Sequence, residues 1–415
     1  TAHFRNFKFF YEKFQDMNPS QINTFAKVFL EKCEVIEIRS WNVDQAITMF
    51  NSLNSDGMPL SDADIISAKL YSQARDNRDE FETKWASLYN KVSQLEQSRI
   101  ADIDAVLMQY MYIHRARGKE YISDKGSVDV TTPGLRRYYT EIKNKELLNN
   151  PIALCDELLK IADIWLNIKD FPIIKLALKF NDNIKLYLAG YLSRFEAEDI
   201  TEDNVKKISI CLVKLFAVLE LVDIGYSSNK FKTFLFGENI KLVDATVDIT
   251  EIERDFSEHI SSTWKLDDVK KEILEYDKNI LVFLNEYLFA QSRDLEFVLT
   301  EKYDIEHIMP ASGKAIALIR ADAGIEDDDE FALVVNKLGN KILLEESINR
   351  AIGNEWFRAK IQTSVNDKSG YKDSVYSIAS DLVTTYTAIP KPYWMKNDII
   401  NVTDKIAQRI IKFLF

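Results

Sequence analysis

Tyr303-Asp304-Ile305-Glu306-His307-Ile308-Met309-Pro310 is the stretch on which the fold turns. Its residues alternate as a strand does, and Pro310, which cannot donate to a ladder, would end it. Further on, Val335-Asn336-Lys337-Leu338-Gly339-Asn340-Lys341-Ile342-Leu343-Leu344 closes on a second short strand over 341–344, and a helix starts near Ser347. A polar, acidic connection joins the two strands. In it Asp327, Asp328, Asp329 and Glu330 suit the first turn of a helix through Val335, where negative charge meets the positive end of the helix dipole. Strand, strand and helix together predict a small α+β unit.

Upstream the pattern differs. Asn150 and Pro151 open a helix with Leu154, Leu158, Ile161 and Trp165 along one side, and Val205, Ile208, Leu212, Leu215 and Leu219 repeat at three- and four-residue steps. Such stripes are core, and the aromatics among them need no ligand to explain them. Ser61 with Asp64 makes a capping-box signal for a helix through about Ala74. Before it, residues 34–39 alternate as a short strand, 43–53 read as a helix and 54–57 as a turn. Trp394, Ile399, Ile406 and Ile410 fit a closing helix. The expected class is mainly α: a large helical N-terminal and central region followed by a small C-terminal α+β domain. Segments of 1–75, 76–295 and 296–415 follow from where the pattern changes.

A chain of 415 residues exceeds what one core usually organises. It begins with Thr in an aromatic-rich segment, which predicts a fragment lacking upstream sequence. Cys33, Cys155 and Cys211 are widely spaced, so neither a disulfide framework nor a zinc knuckle is indicated, and a reducing, cytoplasmic setting fits. Every strongly apolar run is interrupted before it could span a bilayer. The net charge of −12 argues against a protein that coats nucleic acid nonspecifically, because phosphate affinity comes largely from basic surface. Any DNA contact must be local. The candidate patches hold Arg115 and Arg117 beside His114 and Lys119, and Arg136 and Arg137 beside Tyr138 and Tyr139; the ordinary alternative for each is a solvated helix face.

Phosphodiester hydrolysis needs a base to deprotonate water, a cation to stabilise charge and a scaffold to fix both. His307 is one of four histidines, and an imidazole with an ordinary pKa near ~6.5 can accept a proton at neutral pH. Glu306 offers a carboxylate and Asn349 an amide oxygen, both suited to magnesium, which keeps several waters and takes few protein ligands. Strict alternation would send Glu306 and His307 to opposite faces; a twist or bulge before Pro310 would bring them together.

The order of these residues, 303–310, then 335–344, then Ile348-Asn349-Arg350, resembles the HNH (ββα-metal) nuclease domain of GmrSD-type restriction endonucleases. The resemblance implies that His307 activates water, that Glu306 and Asn349 hold Mg2+ or Mn2+, and that Asn340 orients the His307 ring and braces the loop. Asp304 is the reserve for the second ligand. The HNH domain of CRISPR effector nucleases shows a similar order, with the same separation between the positions of Asn340 and Asn349. Trp356, Phe357, Lys360, Ser364, Tyr371 and Ser374 resemble the tail of the same domain, with Phe357 in the core and Lys360 a candidate phosphate contact.

Ala46, Phe50, Asn51, Leu53-Asn54, Gly57, Pro59-Leu60 and Asp64 resemble the end of the nucleotide-associated domain that precedes the nuclease in that family. The family's Asp-Gly-Gln-Gln-Arg motif does not occur in this chain. A nucleotide therefore enters the expectation only through upstream sequence, and no cofactor-binding residues are assigned. The expected protein is a metal-dependent endonuclease acting on DNA in bacterial anti-phage defence, without membrane attachment and with homo-oligomerisation left open. The rival readings are a helical regulatory module whose nuclease fold is inactive, and a nonspecific nuclease outside defence.

Overall fold

The computed structural model describes residues 2–34, 39, 45–46, 49, 61–120, 134–140, 145–222, 228–325, 327–362, 369–389 and 391–415. Contacts divide the chain into Thr1–Leu60 and Ser61–Phe415. In the first unit, helices Ala2–Gln15 and Pro19–Lys32 are joined by a short turn. Asn18 caps the second helix: its side chain accepts from the Gln21 amide at 3.0 Å while Gln21 reaches back to the Asn18 amide at 2.9 Å. The strand, helix and turn expected between 34 and 57 fall almost wholly outside the described residues, as does Ser364.

Among the described residues, the regular structure of the second unit is helical except for one two-stranded antiparallel sheet. Its opening helix, Asp62–Ala74, begins on the Ser61–Asp64 capping box read from the sequence. Helix Pro151–Ile168 buries Leu154, Leu158, Ile161 and Trp165, and Glu202–Leu221 buries Val205, Ile208, Leu212 and Leu215. The Trp165 indole donates to Gln109 Oε1 at 2.6 Å inside the core, so its one polar atom is satisfied by protein. Cys155 and Cys211 are buried, and burial pushes both thiols up to about 12. Among the described residues no helix is long and apolar enough to cross a membrane.

One continuous apolar core runs from Ala63 to Leu414. The central helices and the strands therefore share an interior, and no linker separates them at 295–296. Helix Ile280–Ser292 packs against the sheet, and its buried Glu286 accepts the amides of Ser377 (2.5 Å) and Ile378 (3.4 Å) at the start of helix Ser377–Ala388. Burial raises that carboxyl to about 7, against the pull of those amides.

The two strands are β1, Tyr303–His307, and β2, Lys341–Glu345; they pair with Tyr303 opposite Glu345 and His307 opposite Lys341. Helix Glu346–Ile352 follows β2 directly. The acidic run at 327–330 opens helix Asp328–Val335, with the Asp327 side chain accepting from the Glu330 amide at 2.8 Å. The connection after Pro310 holds an additional helix, Ile316–Ala323, closed by Gly324 in the left-handed region at φ 76°. Only eight residues long and apolar at most of them, it left no clear period in the sequence.

Candidate active site

β1 ends at His307 because the chain beyond it is captured by a side chain instead of a strand. The Ile308 amide donates to the Asn340 carbonyl at 2.9 Å and the Met309 amide to Asn340 Oδ1 at 2.7 Å. Asn340 Nδ2 in turn donates to the carbonyls of Met309 and Val335, each at 2.9 Å. Asn340 is fully buried, and these three bonds occupy its amide. The expectation that it orients the His307 ring is corrected on this point: it holds the backbone just after His307.

Gly339 lies where the final helix, Lys396–Leu414, crosses. A Cβ there would stand 2.2 Å from the Ile399 carbonyl oxygen and 2.7 Å from the Thr403 amide nitrogen, so only glycine permits the approach. The Gly339 amide donates to Thr403 Oγ1 at 3.0 Å and its carbonyl accepts from the Trp394 indole at 3.3 Å. The Gly-Asn pair thus has two separate tasks, one against the closing helix and one under β1.

His307 is half-buried, and its Nε2 is buried without a hydrogen-bond partner. Burial lowers its pKa, and the positive charges of Lys341 and Lys360 act in the same direction, while a hydrogen bond with Asn336 opposes them. The ring is therefore neutral at pH 7, with an unengaged nitrogen. Lys341, across the ladder, is 3% exposed and donates to the carbonyls of Asp277 and Lys278 and to Asn279 Oδ1. Lys337 donates to the Leu274 carbonyl at 2.8 Å. Lys337 thus satisfies a carbonyl in the last turn of helix Leu266–Glu275, and Lys341 holds the connection that follows it.

Glu306 and Asp304 share the other face of β1. Glu306 is 6% exposed; its Oε1 accepts from Lys360 Nζ at 2.5 Å and from the Tyr371 hydroxyl at 3.0 Å. Lys360 also donates to the carbonyls of His307 (2.8 Å) and Ile308 (3.2 Å). At 1% exposed, with three acceptors filling its ammonium, it cannot reach a phosphate, which corrects the expectation of a DNA contact there. Asp304 and Asn349 face one another, with Asn349 Nδ2 donating to Asp304 Oδ2 at 2.9 Å, and both are half-buried. The structure thus brings Asn349 to Asp304, whereas Glu306 serves a buried ammonium.

The basic patches fare unevenly. Arg115 is 3% exposed and paired with Glu120 at 2.8 Å, which removes it from any DNA-facing surface. Arg117 bonds to Glu157 at 3.1 Å on the helix exterior. Arg136 and Arg137 are exposed on helix Leu135–Thr140, which packs against helices Asp62–Ala74 and Ile103–Arg117. Sequence reasoning missed Lys341 and the role of Tyr371. Both partners lie many tens of residues away, and no local pattern marks them.

Residues 249–409 match the family described as GmrSD restriction endonucleases, C-terminal domain. This segment is similar to a GmrSD C-terminal domain. The likeness suggests a restriction endonuclease. The match opens at helix Ile249–Thr263, well before residue 296, and so takes in the helices that Lys337, Lys341 and Glu286 bind into the strand region. No curated protein and no solved structure matches the chain.

Proposed function

We propose that this chain is a metal-dependent DNA endonuclease of the HNH type that cuts or nicks foreign DNA in bacterial defence, with His307 as its general base. The observation that carries the reading is the buried, unpartnered Nε2 of a histidine held neutral at the end of β1, the strand whose other face carries the Asp304 carboxylate and its Asn349 partner. Buried polar atoms are nearly always paired, so an orphan one calls for a functional explanation.

Among the described residues no three His, Cys, Asp or Glu side chains gather as a metal cluster. The donors at hand are hard oxygens from Asp304 and Asn349, a sparse set of the kind magnesium or manganese accepts along with its own waters. Asp304 and Asn349 would hold the cation. Glu306 suits that task less well, because a cation bound there would share the carboxylate with an ammonium 2.5 Å away. When bound, the cation stabilises negative charge on the phosphate and the departing oxygen. His307 takes the proton of a water whose oxygen attacks phosphorus. Asn340 fixes the backbone that carries the imidazole, and Lys360 ties the carbonyls of His307 and Ile308 to Glu306.

The test is nicking of supercoiled plasmid in magnesium by the wild type and by His307→Ala. The variant should be slower by about two to four orders of magnitude while retaining its fold. Equal nicking by the two proteins would remove His307 from the mechanism.

A further inference from the structure

A groove of about 720 Å³ lies on the second unit, away from His307, and carries an excess of positive charge in a chain of net charge −12. One wall is built from the ends of successive central helices. Arg99 follows helix Arg78–Gln97 in the left-handed region at φ 57°, Lys169 caps Pro151–Ile168, and Lys175, Lys179 and Lys185 come from the next two helices and their connection. The opposite wall is the segment running through Leu299 and Thr300 into Tyr303, the first residue of β1. Against these five cations the groove holds three carboxylates, Asp170, Asp182 and Glu301, which leaves a surplus of two.

The carboxylates do not cancel the cations. Lys169 and Lys175 pair with Asp170 at 2.5 and 3.7 Å, and Lys185 pairs with Asp182 at 2.8 Å. Both aspartates are largely exposed, so each pair contributes only about 0–1 kcal/mol and yields readily to a better anion. Lys179 differs from its neighbours. It hydrogen-bonds the Tyr303 hydroxyl and lies over the rings of Tyr303 (4.9 Å) and Phe283 (5.4 Å), clamping the floor of the groove to the start of β1. From Tyr303 to His307 along the strand is about 13 Å at ~3.3 Å per residue. That span equals about four steps of a DNA strand at ~3.4 Å each.

We infer that this groove is where the DNA backbone lies on its way to His307, with Arg99, Lys175 and Lys185 as phosphate contacts and Lys179 as the residue that fixes groove and strand in register. The inference rests on the nuclease reading, and it gives the central helices a task in that reaction. It also eases the tension between an acidic chain and a polyanionic substrate, since the groove carries a local surplus of positive charge beside the start of β1.

The test uses the full chain carrying His307→Ala, bound to a fluorescent DNA duplex over a range of salt concentrations. It is repeated with Arg99→Ala, Lys175→Ala and Lys185→Ala added together. Each lost phosphate contact should reduce the slope of log affinity against log salt by about 0.9, so the triple change should reduce it by about 2.7. Between about 50 and 200 mM salt the affinity of the parent should then fall about 40-fold more than that of the triple variant. An unchanged slope at an unchanged thermal midpoint overturns the proposal. So does an equal loss of slope when three exposed lysines outside the groove, Lys27, Lys271 and Lys405, are replaced instead. The nuclease reading is judged separately by plasmid nicking on the wild-type background: nicking that depends on His307, with a slope the triple change leaves alone, sinks the groove and keeps the nuclease. A slope that falls as expected while nicking ignores His307 keeps the groove and sinks the base.

Discussion

The central helices and the strand region share one core, yet they fill it with different chemistry. Helices Pro151–Ile168 and Glu202–Leu221 bury leucines, isoleucines and Trp165, and the Trp165 indole has a protein partner. Around β1 the interior instead holds Glu306, Lys360, Tyr371, Lys341 and Asn340, all nearly inaccessible, together with a histidine nitrogen that no protein group engages. Burying ions costs several kcal/mol each before their attraction repays it, so a small domain that does so gives up stability that apolar packing would have supplied. The difference is one of density: the central helices bury polar groups such as Arg115, Ser209 and Glu238 scattered along their length, whereas the strand region gathers its buried polar side chains around one short strand.

The sharpest way to break the comparison is to remove one ion of the buried pair. Lys360→Ala should cost about 3–5 kcal/mol in a denaturant melt, because Glu306 is left charged and buried. The double change Lys360→Met with Glu306→Gln should recover much of that loss. Leu158→Ala in the helical part should cost about 2–5 kcal/mol through its cavity, with no polar rescue available. A Lys360→Ala protein as stable as the wild type would show that the pair does not organise the strand region.

A smaller effect separates the two carboxylates on the shared face of β1. Asp304→Ala should raise the magnesium concentration for half-maximal cleavage by at least about tenfold, the lower end of what losing even an outer-shell partner costs. Asn349→Ala should act in the same direction. Glu306→Gln should leave that concentration unmoved and lower stability instead. If Glu306→Gln shifts the metal titration and Asp304→Ala does not, the ligand assignment reverses.

The smallest effect is the pH response. The folded-state pKa of His307 lies below its ordinary value near ~6.5, chiefly through burial, and the active form is the neutral one. Cleavage should therefore be flat from about pH 7 to 8 and fall only as pH drops through that depressed pKa. An inflection above about pH 7 would place the imidazole in surroundings that favour its charged form, contrary to the neighbouring Lys341 and Lys360.

Much of this was legible in the residues. The capping box at Ser61, the proline start at Pro151, the apolar stripes and the second strand stand where periodicity and caps put them, because each depends on neighbours within a few positions, whereas the first strand stops at His307, two residues short of Met309. The order Glu306-His307, Asn340, Asn349 pointed to the nuclease domain. What it did not supply was which partner each side chain would choose. Lys360, read as a surface cation, lies 54 positions from Glu306 in sequence and meets it only when the tail folds beneath β1. Arg115 read as part of a basic patch and proved to be buried against Glu120.

By itself, the sequence determined most of the helices, the presence of two short strands and the place of His307 on the first of them, all matters of local period, capping and residue chemistry. Only the tertiary structure decided that Asn349 meets Asp304, that Glu306 neutralises Lys360, that Lys341 holds a connection between helices some sixty positions upstream, and that Gly339 yields to a helix near the C-terminus. The reason is that charge pairing and close backbone approach act through space at a few ångströms. Their outcome is set by which segments the core brings together, and local spacing carries no record of that.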